Sequence, residues 1–279
     1  ALSWLSAVGW GCAMKSRSCQ SPAISPAAGF IGTFPLPKTW VPSCDRKLRL
    51  KRGLANSLSR GNRLDHLHSS GATLTLANYL HKNDLPNGLT LGPIVAIDTE
   101  TMGLDARRDR LCVVQLSSGD GHAHIVQIDK GQTSAPNLQR LLADPATIKL
   151  FHFGRFDIAM LHQAFGTRTA PVWCTKIAAK LVRTFTDRHG LKYLLNELVG
   201  VDVSKAQQTS DWGQAILSEA QKDYAASDVL YLHKLKDALE AILIREDRLA
   251  LAQRCFEFLP TRAELDLLGW DEPNDIFHH

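Results

Sequence analysis

A short apolar run, Ile94-Val95-Ala96-Ile97, ends on two carboxylates, Asp98 and Glu100, and this junction constrains the fold more than any other stretch. The run is rich in β-branched residues and follows Gly92-Pro93, so it reads as a buried strand. Side chains alternate along a strand, which puts Asp98 and Glu100 on one face. Carboxylates that close resist ionising together unless a cation lies between them. Two more acids fall on apolar helical stripes: Asp157 with Leu161 and Ala164, and Asp228 with Leu232, Leu235 and Leu239. An unpaired charge on such a face is costly or stays protonated. Tyr224 lies one turn before Asp228 on the same face, with a phenol able to orient a water.

Taken singly, each acid reads as a helix cap, a surface charge or half of an ion pair; Asp157 alone suits a helix N-terminus. Taken together and in this order, they point to two divalent cations, a common arrangement for phosphodiester hydrolysis. Oxygen donors throughout favour hard ions such as Mg²⁺ or Mn²⁺ over zinc.

From residue 93 the pattern alternates strand and helix. Strands are expected at 94–98, 111–117 and 124–128, joined as an antiparallel meander with Gly119-Asp120-Gly121 as a hairpin turn. A helix at 136–143, a strand at 148–151 and a helix at 155–165 follow. A short strand near Val172 leads to helices at 175–184, 190–198 and 218–243, and to a last one at 246–268 with a break near Pro260. The expected fold is therefore α/β, a mixed sheet flanked by helices. There are no internal repeats.

Three motifs carry a family resemblance: Asp98-Thr99-Glu100-Thr101-Met102-Gly103-Leu104, His152-Phe153-Gly154-Arg155-Phe156-Asp157, and Tyr224-Ala225-Ala226-Ser227-Asp228. Cys174-Thr175-Lys176, His189-Gly190-Leu191 and Gln208-Thr209-Ser210-Asp211-Trp212 lie between them. Over roughly residues 75 to 279 the chain resembles the tyrosine-bearing DEDD 3′–5′ exonucleases, and within them ribonuclease D in its short bacterial form. The resemblance implies a ribonuclease H-like mixed five-stranded sheet flanked by helices. It also implies two divalent metal ions, with Asp98 shared between them, Glu100 and Asp228 on one, and Asp157 on the other. Tyr224 then orients the water that attacks the terminal phosphodiester, and nucleoside 5′-monophosphates leave from the 3′ end.

By the same resemblance, Thr99 and Met102 line the pocket for the terminal nucleotide. Phe153, His189, Lys192 and Gln208 are further candidate substrate contacts, the last three because Asp187-Arg188-His189-Gly190 reads as a polar loop before a helix, with solvated surface groups as the alternative. Arg188 is a further cation placed to meet phosphate. Trp212 reads equally as a core or a stacking residue. The family usually has asparagine where this chain has Phe153; core packing at the end of a buried strand is the expectation there, with base stacking as the alternative. The implied partner is a single-stranded RNA 3′ end in transfer-RNA or other stable-RNA processing, with no obligate protein partner. Full-length ribonuclease D carries further helical domains after the nuclease; this chain ends soon after its last acidic motif, so less processive action on single-stranded tails is expected. Two alternatives stand beside this reading: a DNA 3′–5′ exonuclease of the proofreading or repair type, and a catalytically silent nucleic-acid-binding module.

The overall net charge of +4 misleads, because residues 1–92 carry +8 and residues 93–279 carry −4. Basicity thus belongs to the leader, with its cluster Arg46-Lys47-Leu48-Arg49-Leu50-Lys51-Arg52. Residues 1–75 are expected to be disordered or non-native, a translated region ahead of a start near residue 70 to 80; a nucleic-acid-binding arm and an organelle-targeting peptide are the functional readings. Residues 76–279 form the expected exonuclease domain. The six cysteines show neither zinc-finger spacing nor a CxxC pair, so free thiols in the reducing cytoplasm are expected. Nothing approaches the ~20 apolar residues of a membrane span.

Overall fold

The computed structural model describes residues 77–204 and 206–277, so the basic leader lies outside the described residues. The expected meander forms. β2 (Ile94–Thr101) pairs antiparallel with β3 (Leu111–Ser117), and β3 pairs antiparallel with β4 (His122–Gln127). All seven residues of β3 are buried, because helices cover both faces of the sheet there. β5 (Ile148–Phe151) joins β2 in parallel, and β6 (Val172–Cys174) joins β5 in parallel.

The sheet has six strands rather than five. The addition is β1 (Ala77–Lys82), which lies parallel to β4 and gives the order β1-β4-β3-β2-β5-β6. Its sequence, Ala-Asn-Tyr-Leu-His-Lys, shows no β-branched run, and as an edge strand it stays largely exposed. Tertiary pairing, rather than local pattern, makes it a strand.

α1 (Pro136–Ala143) and α2 (Arg155–Phe165) have the expected bounds. Pro136 opens α1, where its missing N–H is harmless, and Gly166 closes α2 in the left-handed region at φ +64°. α3 (Thr175–Val182) follows β6. α4 (Leu191–Leu194) continues into a single π-helical turn, Leu195–Val199.

The long helix expected over 218–243 is two helices. α5 (Glu219–Leu230) stops at Tyr231, where φ −109° and ψ 0° break the path, and α6 (Leu232–Arg245) starts afresh. Asp228 therefore does not share a continuous stripe with Leu232, Leu235 and Leu239; those three pack into the main core from α6. The expected break near Pro260 is absent. α7 (Leu249–Leu267) runs through it, with Leu259 and Pro260 both buried and the helix held against α2 and β6. Each leucine so buried contributes about 1.5–3 kcal/mol, enough to offset one lost helical hydrogen bond.

The main core lies between the sheet and α1, α2, α3, α6 and α7, built on Val95, Leu116, Leu138, Phe151, Leu161 and Leu239. A smaller cluster lies under α5, with Val113, Ile125, Trp212, Leu217 and Ala225. Among the described residues no helix is long and apolar enough to cross a membrane.

Candidate active site

β2 delivers the first two acids as its period requires: Asp98 and Glu100 project to one side. α5 delivers Tyr224 and Asp228, four residues apart on one face. That helix is firmly started, since the Ser218 hydroxyl accepts from the Gln221 backbone at 3.2 Å while Gln221 Oε1 accepts from the Ser218 backbone at 3.0 Å. α2 delivers Asp157 in its first turn.

Oxygens of Asp98, Glu100 and Asp228 all lie within 4.8 Å of one another. Asp157 stands outside this trio and is tied elsewhere: the Thr99 hydroxyl donates to its Oδ1 at 2.6 Å. The Tyr224 hydroxyl is hydrogen-bonded to Asp228, and its ring lies 6.1 Å from that of Trp212.

The electrostatics are one-sided. Burial, then Asp228 and Asp157, push the Glu100 carboxyl up to about 9. Burial, then Asp157, Asp228 and Glu100, hold Asp98 well above the carboxylate range. Asp157 is raised by burial, with the Thr99 hydrogen bond opposing. Burial and the acids Asp228, Glu100 and Asp98 likewise raise the Tyr224 phenol, which stays protonated at neutral pH. Without a cation, this site keeps protons on its carboxyls.

An all-oxygen, partly buried and mutually repelling donor set fits a hard divalent cation, and binding one would remove the repulsion. Asp98, Glu100 and Asp228 are placed to hold it, and Asp157 lies near enough to raise the carboxyls of Asp98 and Glu100.

Of the other candidates, Met102 is exposed, with its sulfur over Gly213, where an added Cβ would collide with it. Thr99 is buried, and its side chain serves Asp157 rather than an open pocket. The core-packing expectation for Phe153 is wrong: its ring is 47% exposed, and its backbone turns off β5 at φ +65°. That left-handed conformation suits asparagine but costs phenylalanine about 1–2 kcal/mol. Lys192 is paired with Asp202 at 3.2 Å, Gln208 is exposed on a loop, and Arg188 lies over the Tyr193 ring. Among the described residues, no hydrogen bond or ion pair joins His189, Lys192 or Gln208 to Asp98, Glu100 or Asp157. Trp212 resolves to the core, 3% exposed.

Sequence reasoning missed Gln115. It faces Asp98 across the β2–β3 ladder, is fully buried, and its Nε2 donates to Asp98 Oδ2 at 3.1 Å. The available signal was a lone amide inside the apolar strand Leu-Cys-Val-Val-Gln-Leu-Ser.

Comparison with known proteins places this geometry. Residues 80–244 match the 3′–5′ exonuclease family. Ribonuclease D of Granulibacter bethesdensis is 42% identical over 158 residues, covering 57% of this chain and 40% of the relative. DNA polymerase I of Aquifex aeolicus is 32% identical over 170 residues, covering 61% and 27%. The chain thus spans about two fifths of the length of the curated ribonuclease D relatives it matches. Solved structures of Brucella melitensis NrnC superpose well. The one with bound Mg²⁺ is 57% identical, with TM-score 0.70 over 73% of this chain and 100% of that one. The one bound to pGG is 58% identical, with TM-score 0.71 over 74% and 100%. The six-stranded α/β fold is thus that of the ribonuclease H-like exonucleases, and the chain belongs to the 3′–5′ exonuclease family, in its ribonuclease D-like DEDD branch.

Proposed function

We propose that this chain is a divalent-metal-dependent 3′–5′ exoribonuclease that removes nucleoside 5′-monophosphates one at a time from single-stranded RNA 3′ ends, in trimming transfer-RNA or other stable-RNA precursors. The observation that carries the reading is the meeting of Asp98, Glu100 and Asp228 within 4.8 Å beside a protonated Tyr224. Two bound Mg²⁺ or Mn²⁺ ions would supply an activated water and stabilise the charge of the departing 3′-oxygen.

The chain's own groups do the rest. Tyr224 keeps its proton, so it orients the attacking water by hydrogen bonding and does not act as the base. Gln115 donates to one oxygen of Asp98 and so orients that carboxyl toward the site. The Thr99 hydroxyl orients Asp157 in the same way. The ribonuclease D relatives support ribose over deoxyribose, and the NrnC neighbour bound to pGG supports a short nucleotide chain as the ligand. The three described cysteines are free and two are buried, which suits the reducing cytoplasm.

The likeness to Aquifex DNA polymerase I supports a second reading, a DNA 3′–5′ exonuclease. Matched 5′-labelled RNA and DNA strands, incubated with Mg²⁺, Mn²⁺ or EDTA, separate the two. RNA shortening from its 3′ end only with metal, and faster than DNA, is the expected result. Faster DNA digestion would reverse the assignment, and binding without cleavage would leave a silent module.

A further inference from the structure

Phe153 occupies a backbone conformation that phenylalanine disfavours, yet its ring is not used in the core. Its position is nevertheless built rather than loose. His152 Nδ1 lies 2.8 Å from the Thr175 hydroxyl, which also donates to the Phe151 carbonyl at 3.2 Å, so the end of β5 is fastened to the start of α3. Gly154 is required beside it, because a Cβ there would run into the Phe151 side chain. This frame presents the Phe153 ring outward, four residues before Asp157.

Lys176, the second residue of α3, holds its Nζ 3.5 Å from the centre of that ring. No carboxylate pairs with Lys176 among the described residues; Lys180, one turn on, adds like charge, and His189 is close enough to feel both. Lys176 and Lys180, neither of them ion-paired among the described residues, stand out where residues 93–279 carry a net −4. Phe153 also borders a cavity of about 360 Å³ shared with Leu104, Arg155 and Phe156, roomy enough for a nucleobase.

We propose that Phe153 and Lys176, supported by Lys180, form a strand-holding subsite in which the phenyl ring stacks a base of the bound RNA and the lysine takes the adjoining backbone phosphate. The inference rests on the exoribonuclease reading and deepens it. A charge-assisted bond to phosphate is stronger than an exposed cation–π contact, so an arriving strand draws the ammonium off the ring and opens that face for stacking. The strain at Phe153 is retained because the exposed ring serves the substrate.

The test is the anisotropy of a labelled single-stranded RNA with the full chain across a salt series, beside Mg²⁺-dependent cleavage by the unaltered protein. Lys176→Ala lowers the slope of log affinity against log salt by about 0.7, and Lys176→Arg keeps it. Phe153→Ala weakens binding by about tenfold, and Phe153→Trp restores it. Lys234→Ala, an exposed lysine on α6, leaves affinity and slope unchanged. A Lys176→Ala slope equal to that of Lys234→Ala, or a Phe153→Ala affinity equal to that of the unaltered protein, overturns the subsite. Strand binding with these variant effects but without cleavage overturns only the nuclease reading; failure of the unaltered protein to bind overturns both.

Discussion

Two clusters of carboxylates in this domain are built on opposite plans. At the C-terminal end, Arg155 grips Asp266 with two bonds of 2.6 and 2.7 Å, and Arg262 reaches both Asp266 and Asp275 at 3.0 Å. Two cations meet two anions, and the cluster is complete in itself. Where the C-terminal half of β2 faces α5, Asp98, Glu100 and Asp228 meet with Asp157 nearby, and the carboxyls of Asp98 and Glu100 are raised by burial and by the neighbouring acids. The first cluster stabilises the fold, fastening α2 to α7. The second opposes it through burial and mutual repulsion, which a cation arriving from solution would relieve. The same residue type thus acts as strut or as ligand according to what the fold sets beside it.

Neutralising one acid in each cluster gives the sharpest contrast. Asp98→Asn is expected to lower 3′–5′ cleavage by about a thousandfold or more, a loss of several kcal/mol of metal-centred stabilisation, while raising the melting temperature measured in EDTA. Asp266→Asn is expected to act the other way, destabilising the protein by about 2 kcal/mol because two arginines lose their partner; partial exposure of Arg155 keeps this below the fully buried case. Denaturant melts of both variants in EDTA decide the matter: if both destabilise, the proposed contrast between the clusters fails.

Metal affinity sharpens the comparison next. Gln115→Ala removes the donor that orients Asp98 and is expected to weaken Mn²⁺ binding by about tenfold, read by titration calorimetry without RNA. Unchanged affinity would show that the β-sheet alone orients Asp98.

The smallest effect expected is in pH. The raised Glu100 carboxyl means that the folded, metal-free protein keeps a proton that the unfolded chain releases between its ordinary value of 4.5 and about 9. Stability contributed by that proton is full below the lower value and is lost as pH rises through the upper one. Asp98 and Asp157 shift in the same direction. The melting temperature in EDTA should therefore fall from pH 5 to 9, and saturating Mn²⁺ should flatten the slope. A melting temperature that rises with pH in EDTA would contradict the electrostatics described for the site.

Much of this was legible beforehand where a local rule operates. β5, α1 and α2 have the bounds that their apolar periods predict, and the pairings Asp98–Glu100 and Tyr224–Asp228 follow from periods of two and about four. Where the rule is not local, the reading failed. β1 is a strand only because β4 offers its edge, Pro260 stays helical only because α2 and β6 press on α7, and the break at Tyr231 has no glycine or proline to announce it. Phe153 misled for a similar reason: an aromatic residue after a buried strand normally continues inward, and only the left-handed turn at φ +65° sends it out.

The sequence by itself determined which acids share an element and a face, because side-chain direction along one strand or helix is set by backbone geometry alone. Only the tertiary structure decided that three of the four acids meet within 4.8 Å while Asp157 stays with Thr99, that Gln115 reaches Asp98 from the neighbouring strand, and that Trp212 sits behind Tyr224. Those contacts join residues 12 to 130 positions apart on separate segments, and no local period carries information over such a distance.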